Sequence, residues 1–199
     1  MPTLLPIFLD LSAQSILVVG AGPAAVEKIE KLIATGASIH VIARTIPLPL
    51  RSWLEEHAIP WIERSFHEED VRGHFLVISA VEHAATHRSI AAAARLNRVL
   101  VNTVDAPAHC DFYFGAQVQR GPLQIAISTH GLFPGVARAL RLWLEETLPP
   151  SITADLDDLV ALRRQVQARI PDPQTRMRAL KDQLHIWLHK TDHLTRGFG

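Results

Sequence analysis

Ser15-Ile16-Leu17-Val18-Val19-Gly20-Ala21-Gly22-Pro23-Ala24-Ala25 is the stretch that decides the fold. The apolar run up to Val19 stops abruptly at glycine, as a strand buried on both faces of a parallel sheet does. The residues after it spell G-x-G-x-x-A and open a helix. Gly20 permits a tight turn, Gly22 lets a diphosphate approach the backbone, and Ala25 lets the helix pack close to the strand. The helix tip adds unpaired N–H groups and partial positive charge, and Pro23 suits a first helical turn, where its missing N–H costs little. A glycine turn that only joins strand to helix is the plainer alternative. The flanking strand and helix favour dinucleotide binding.

Outward from that turn, apolar Val26, Ile29, Leu32 and Ile33 predict a helix over 23–35, ended by Gly36. Strands follow at 38–43, 61–62, 75–79 and 99–104, alternating with helices at 48–57 and 84–96. Strict alternation of this kind implies an α/β fold, a Rossmann-like parallel sheet with right-handed crossovers. The rhythm changes after about residue 105. Strand-like runs at 112–118 and 123–128 flank Gly121-Pro122 and read as a hairpin. A helix over 136–147 puts Val136, Leu140, Trp143 and Leu144 on one side. Pro149-Pro150 breaks the chain before two more helices, 151–170 and 173–189, with packing stripes that include Leu156, Leu159, Leu184 and Trp187; residues 191–199 are expected to be loose. The predicted division is 1–113, 114–148 and a small helical domain over 149–199.

The chain has 199 residues, of which 48% are hydrophobic, enough for one full domain and a smaller appendage. Lys plus Arg and Asp plus Glu balance at 20 each, so no electrostatic case exists for nucleic acid or an anionic membrane. The single cysteine, Cys110, fits a reducing compartment. The N-terminus has no basic, apolar leader and no run is long enough to span a bilayer, so a soluble cytoplasmic protein is expected. The second strand ends Ala43-Arg44-Thr45, without the acid that usually binds the adenosine ribose. Arg44 stacks on adenine, faces a 2′-phosphate, or is an ordinary surface residue; NAD and NADP both stay open. The candidate cofactor contacts are Gly20, Ala21, Gly22, Pro23, Ala24, Ala25, Arg44, Thr45, Ala80 and Asn102. His57, His67, His74, His83, His87, His185, His189 and His193 sit mostly in polar contexts and read as surface residues.

Several stretches together resemble the N-terminal module of the siroheme synthase family. They are Leu5-Pro6-Ile7-Phe8, the glycine turn from Val18 to Lys28, Asn102-Thr103-Val104-Asp105-Ala106-Pro107, Cys110-Asp111-Phe112, and Ile127-Ser128-Thr129-His130-Gly131-Leu132-Phe133-Pro134 with Ala137-Arg138. The resemblance implies precorrin-2 dehydrogenase activity, with NAD as hydride acceptor and sirohydrochlorin as product. Some members also insert ferrous iron. It further implies a homodimer joined through 114–148, and a tetrapyrrole as the only other partner. The chain stops at Gly199, so the methyltransferase domain fused to some relatives is expected to be absent.

The resemblance makes Asp105 the key acid. Its place just past the fifth strand agrees, because open α/β sheets bind ligands at that edge. A carboxylate there can accept a proton as hydride leaves the macrocycle; a turn-forming Asp is the structural alternative. Ser128, Thr129, His130 and Arg138, around the start of a helix, are the candidate substrate contacts, suited to the carboxylates of a tetrapyrrole. Capping by the hydroxyls and a surface role for Arg138 are equally open. His109, Cys110 and Asp111 match no standard zinc spacing, so no bound metal is expected. His130, Phe133 and Gly115 depart from the family pattern. The first two are bulkier and bear on which tetrapyrrole fits and on iron insertion. A dinucleotide sensor without catalysis, and a tetrapyrrole chelatase without a redox step, are the rival readings.

Overall fold

The computed structural model describes residues 4–190, with the side chains of 188–190 left out. The predictions for 191–199 and for His193 lie outside the described residues, and so do those for the side chain of His189 and of Leu188. The chain forms two compact units, 1–113 and 114–199.

The first unit is a five-stranded parallel sheet of order β3-β2-β1-β4-β5. Its strands are β1 (Ser15–Val19), β2 (Ser38–Ala43), β3 (Trp61–Glu63), β4 (Leu76–Ser79) and β5 (Leu100–Thr103). Helices α1 (Pro23–Ile33), α2 (Leu48–Glu56) and α3 (Ala84–Leu96) make the crossovers. Central β1 carries Ile16, Leu17, Val18 and Val19, each at most 2% exposed, so its unbroken apolar run is explained by burial on both faces. Leu17, Val19, Val77 and Val101 pack in one core with Ile90, Ala91 and Ala94 of α3. The strand order reverses between β1 and β4, the point at which such sheets open a ligand crevice.

The structure corrects the sequence reading in several places. Each of α1, α2 and β5 is shorter than predicted, and Phe75 is exposed ahead of β4. Two 3₁₀ turns, Glu68–Val71 and Pro107–His109, were not anticipated. His87 is buried, and His74 is half-buried with Nδ1 2.9 Å from Ser15 Oγ, so neither is a surface histidine.

The second unit holds the hairpin β6 (Ala116–Arg120) and β7 (Leu123–Ile127), then α4 (Pro134–Thr147), α5 (Ile152–Arg169) and α6 (Pro173–Lys190). The hairpin starts at Ala116 rather than Phe112, because 110–112 is already committed to β5. The Asp111 N–H donates to the Val101 carbonyl (2.8 Å), and Asp111 Oδ2 accepts from the Val101 N–H (3.1 Å). Gly115, one of the departures from the family pattern, has a local reason: a Cβ there would sit 2.8 Å from the Ile127 carbonyl oxygen. Arg120 fastens the hairpin to the end of α4, donating to the carbonyls of Leu148 (2.7 Å) and Glu145 (2.8 Å). A cation there also suits the negative end of the helix dipole. Asp172 caps α6 by accepting the Thr175 N–H (2.7 Å), just ahead of Pro173. On α4 the apolar side is largely uncovered: Val136, Leu140 and Trp143 are exposed, and Ala137 is the buried residue.

Candidate functional site

Strand register brings the site together. Val19 pairs with Ile42 on one side and with Ser79 on the other, and Ser79 pairs with Thr103. The next residues, Gly20, Ala43, Ala80 and Val104, therefore line one edge of the sheet, with Arg44 and Asp105 a step beyond.

The two glycines of the turn have different reasons to be glycine. Gly20 has φ +127° and its N–H donates to the Ile42 carbonyl (2.8 Å); a Cβ would lie 2.1 Å from the Ala80 carbonyl oxygen. That clash is with the protein's own backbone, so Gly20 is explained without any ligand. Gly22 is exposed, has ordinary φ, and a Cβ there meets nothing within 4 Å. Its missing side chain leaves open space at the tip of α1. No side chain caps this helix and its first turn carries no acid, while Pro23 occupies the first position. The Ala25 and Val26 N–H groups close back on the Gly22 carbonyl (2.9 and 3.2 Å). By helix geometry Ala24 keeps an N–H without an intrahelical acceptor. Ala25 is fully buried and Ala21 and Ala24 are half-buried. An uncapped helix tip, facing open space with no acid in its first turn, fits the diphosphate of a dinucleotide.

Arg44 and Thr45 are exposed at the exit of β2, and among the described residues Arg44 makes no ion pair. Ala80 is half-buried directly after β4. Asn102 is buried within β5, and its amide donates to the Phe112 carbonyl (2.9 Å), tying the strand to the segment that follows the Pro107–His109 turn.

Asp105 is exposed and has φ +56°, a left-handed conformation that non-glycine residues adopt uncommonly. The turn is fastened on both sides. The Val104 N–H donates to the Ser79 carbonyl (2.9 Å), the Ala106 N–H to the Thr103 carbonyl (3.3 Å), and the Tyr113 hydroxyl to the Pro107 carbonyl (3.1 Å). A strained residue held this firmly, with its carboxylate in solvent at a ligand-binding edge, is where functional strain concentrates.

Neighbouring His109, Cys110 and Asp111 do not converge on a common point. The Cys110 thiol donates to the Thr103 carbonyl (3.2 Å) and accepts from the Thr103 N–H (3.2 Å), and burial pushes it above the ordinary thiol value. Asp111 pairs with Arg95 at 3.5 Å. Among the described residues no three His, Cys, Asp or Glu are grouped to hold a metal ion.

Ser128, Thr129, His130 and Arg138 belong to the second unit. Ser128 Oγ accepts the His130 N–H (3.1 Å) and Thr129 Oγ1 accepts the Phe133 N–H (3.4 Å), so both hydroxyls serve their own loop. His130 has φ +56°, and His130 and Arg138 are exposed. Sequence reasoning missed the buried pair of Ser79 and His87, whose Oγ and Nδ1 are 2.7 Å apart. A signal existed: His87, Ile90, Ala91 and Ala94 fall at the spacing of one helical face.

A family model described as "Putative NAD(P)-binding" matches residues 7–116. The chain belongs to this NAD(P)-binding family. Its match to the family spans the whole sheet and the Asp105 turn. A siroheme synthase of Actinobacillus pleuropneumoniae serotype 3 (strain JL03) is 37% identical over 174 residues, covering 87% of this chain and 36% of that protein. One from Neisseria meningitidis serogroup B (strain ATCC BAA-335 / MC58) is 39% identical over 147 residues, covering 74% of this chain and 30% of that protein. The chain thus spans about a third of the length of the curated relatives it matches. Among solved structures, one titled "SirC, precorrin-2 dehydrogenase" superposes with a TM-score of 0.77 at 24% identity over 98% of both chains, a likeness of fold.

Proposed function

We propose that this NAD(P)-binding chain is an NAD-dependent dehydrogenase that oxidises precorrin-2 to sirohydrochlorin in siroheme biosynthesis. The observation that carries the reading is the shared edge: open space at the Gly22 helix tip and the fastened Asp105 carboxylate stand on one rim of one sheet. The similarity to siroheme synthases supplies the substrate class. When bound, NAD supplies a two-electron hydride acceptor. The substrate loses two hydrogens, one as hydride to the nicotinamide and one as a proton. Asp105, exposed at this rim, is the group we assign to take that proton. Gly22 and the Ala24 N–H would hold the diphosphate, and Arg44 and Thr45 would flank the adenosine end. Ala21, Pro23, Ala25, Ala80 and Asn102 shape the surrounding backbone. Ser128, Thr129, His130 and Arg138 are proposed substrate contacts.

The exposed apolar residues of the second unit, Leu132 (65%), Phe133 (66%), Leu140 (43%) and Trp143 (38%), support a homodimer built through 114–148, with 149–199 as a helical appendage. Among the described residues no helix is long and apolar enough to cross a membrane, which is compatible with the cytoplasmic location we assign.

The test is the absorbance of NADH formed from NAD+ and enzymatically made precorrin-2, repeated with NADP+. Asp105→Ala is expected to lower turnover by about 100-fold or more while NAD+ affinity stays within about threefold. Full activity in that variant removes Asp105 from the mechanism. Cofactor binding without any tetrapyrrole-dependent NADH favours the sensor instead.

A further inference from the structure

Under the rim that carries Gly20 and Asp105 lies a polar pair that the proposed reaction does not use. Ser79 ends β4 and is 0% exposed; His87, in the first turns of α3, is 8% exposed. Ser79 is also a junction of the backbone. Its carbonyl accepts the Val104 N–H (2.9 Å), one residue before Asp105, and the next N–H, of Ala80, donates to Val19 (2.8 Å). The Ala80 carbonyl is the group that Gly20 leaves room for. One backbone corner therefore supports both the dinucleotide turn and the Asp105 turn, and the side-chain tether of that corner is the 2.7 Å contact to His87 Nδ1.

We propose that His87 is a positioning residue, whose neutral imidazole, tethered to Ser79, holds the Ser79–Ala80 corner on which the Gly20 and Asp105 turns both rest. This rests on the dinucleotide reading of the rim and not on which tetrapyrrole is oxidised. In the neutral tautomer whose Nδ1 accepts from the Ser79 hydroxyl, protonation makes Nδ1 a donor, so the hydroxyl must turn its proton away, and it puts a charge where burial opposes one. Burial pushes His87 below its ordinary value; the Val81 backbone works against that, His109 adds to it, and Asp105 opposes it. These are the charged groups acting on the ring from the Asp105 turn and the 3₁₀ turn after it, and β4 offers only uncharged Ser79. The acidic Glu68–Val71 turn also packs on α3, but its Asp70 is committed to Arg64 at 2.7 Å, and Glu68 and Glu69 are exposed.

The test is calorimetric titration of the full chain with NAD+ between about pH 5.5 and pH 8, with thermal unfolding of each variant alongside. In the wild type, affinity is expected to be level from pH 8 to about pH 6.5 and to fall progressively toward the acid end as His87 is protonated. His87→Asn keeps a polar atom at the Nδ1 position and does not titrate. It is expected to bind within about threefold of wild type at pH 8 and to lose the acid-side decline. His87→Leu fills the space without the tether, and both it and Ser79→Ala are expected to bind about tenfold more weakly at every pH. An Asn variant that keeps the acid-side decline overturns the proposal. So does a folded Leu variant that binds as the wild type does, since that is what simple packing gives. In both cases the dinucleotide reading survives; a wild type that binds neither NAD+ nor NADP+ removes that reading and this inference together.

Discussion

Gly20 and Gly22 stand two residues apart; the fold itself requires the first, while the second leaves open space that we assign to the ligand. Gly20→Ala puts a Cβ against the Ala80 carbonyl at a positive φ. It is expected to cost about 2–4 kcal/mol, read as a lowered midpoint in urea unfolding. At Asp105, Asn tolerates the left-handed turn as well as Asp does. Asp105→Asn should therefore stay within about 0.5 kcal/mol of wild-type stability, while its NADH production falls by about 100-fold. Both were legible as turns because their signals are local, glycine spacing after one strand and an Asp before Ala-Pro after another; the role of Asp105 came only with the family resemblance. The partners of the hydroxyls were not legible. Ser128 and Thr129 bond backbone two and four residues on, which sequence offers only as one of two equal options. His87 was misread because its polar identity outweighed its periodic match to Ile90, Ala91 and Ala94.

At the level of elements, register makes the site: Val19, Ile42, Ser79 and Thr103 stand in one row. Alternation of strand and helix announced the parallel sheet, but nothing local announces a pairing register between β1 and β4. The start of β6 slipped for the same reason, since 110–112 is held by β5 across the fold rather than by its own propensity. Arg120→Ala removes two charged hydrogen bonds from the end of α4 and is expected to destabilise by about 1–3 kcal/mol in chemical unfolding. Acid should weaken the first unit through α3 and the approach to β4. Burial pushes His87 and His74 below the ordinary 6.5, the latter helped by His40 and opposed by Asp70. The unfolded chain then binds protons that the native one refuses, so stability falls as pH drops through about 6.5 and levels off once the native imidazoles are protonated. His87→Asn should make that decline shallower, as followed by the thermal midpoint across the same pH range.

For the whole molecule, the second unit was legible as elements but not as a surface. The side of α4 that carries Val136, Leu140 and Trp143 has helical spacing, and in the single chain it is exposed. Covering it with a second copy makes the pattern and the exposure consistent. Light scattering is expected to give twice the chain mass, and Leu140→Asp to give a single one. The dehydrogenase assignment depends first on the crevice at the head of α1, and NAD+ titration of wild type and Gly22→Asp measures it directly. The account predicts binding by the wild type, and at least about 100-fold weaker binding by the variant with its unfolding midpoint nearly unchanged, because the new carboxylate fills the diphosphate space. Equal affinity in the two proteins would contradict it.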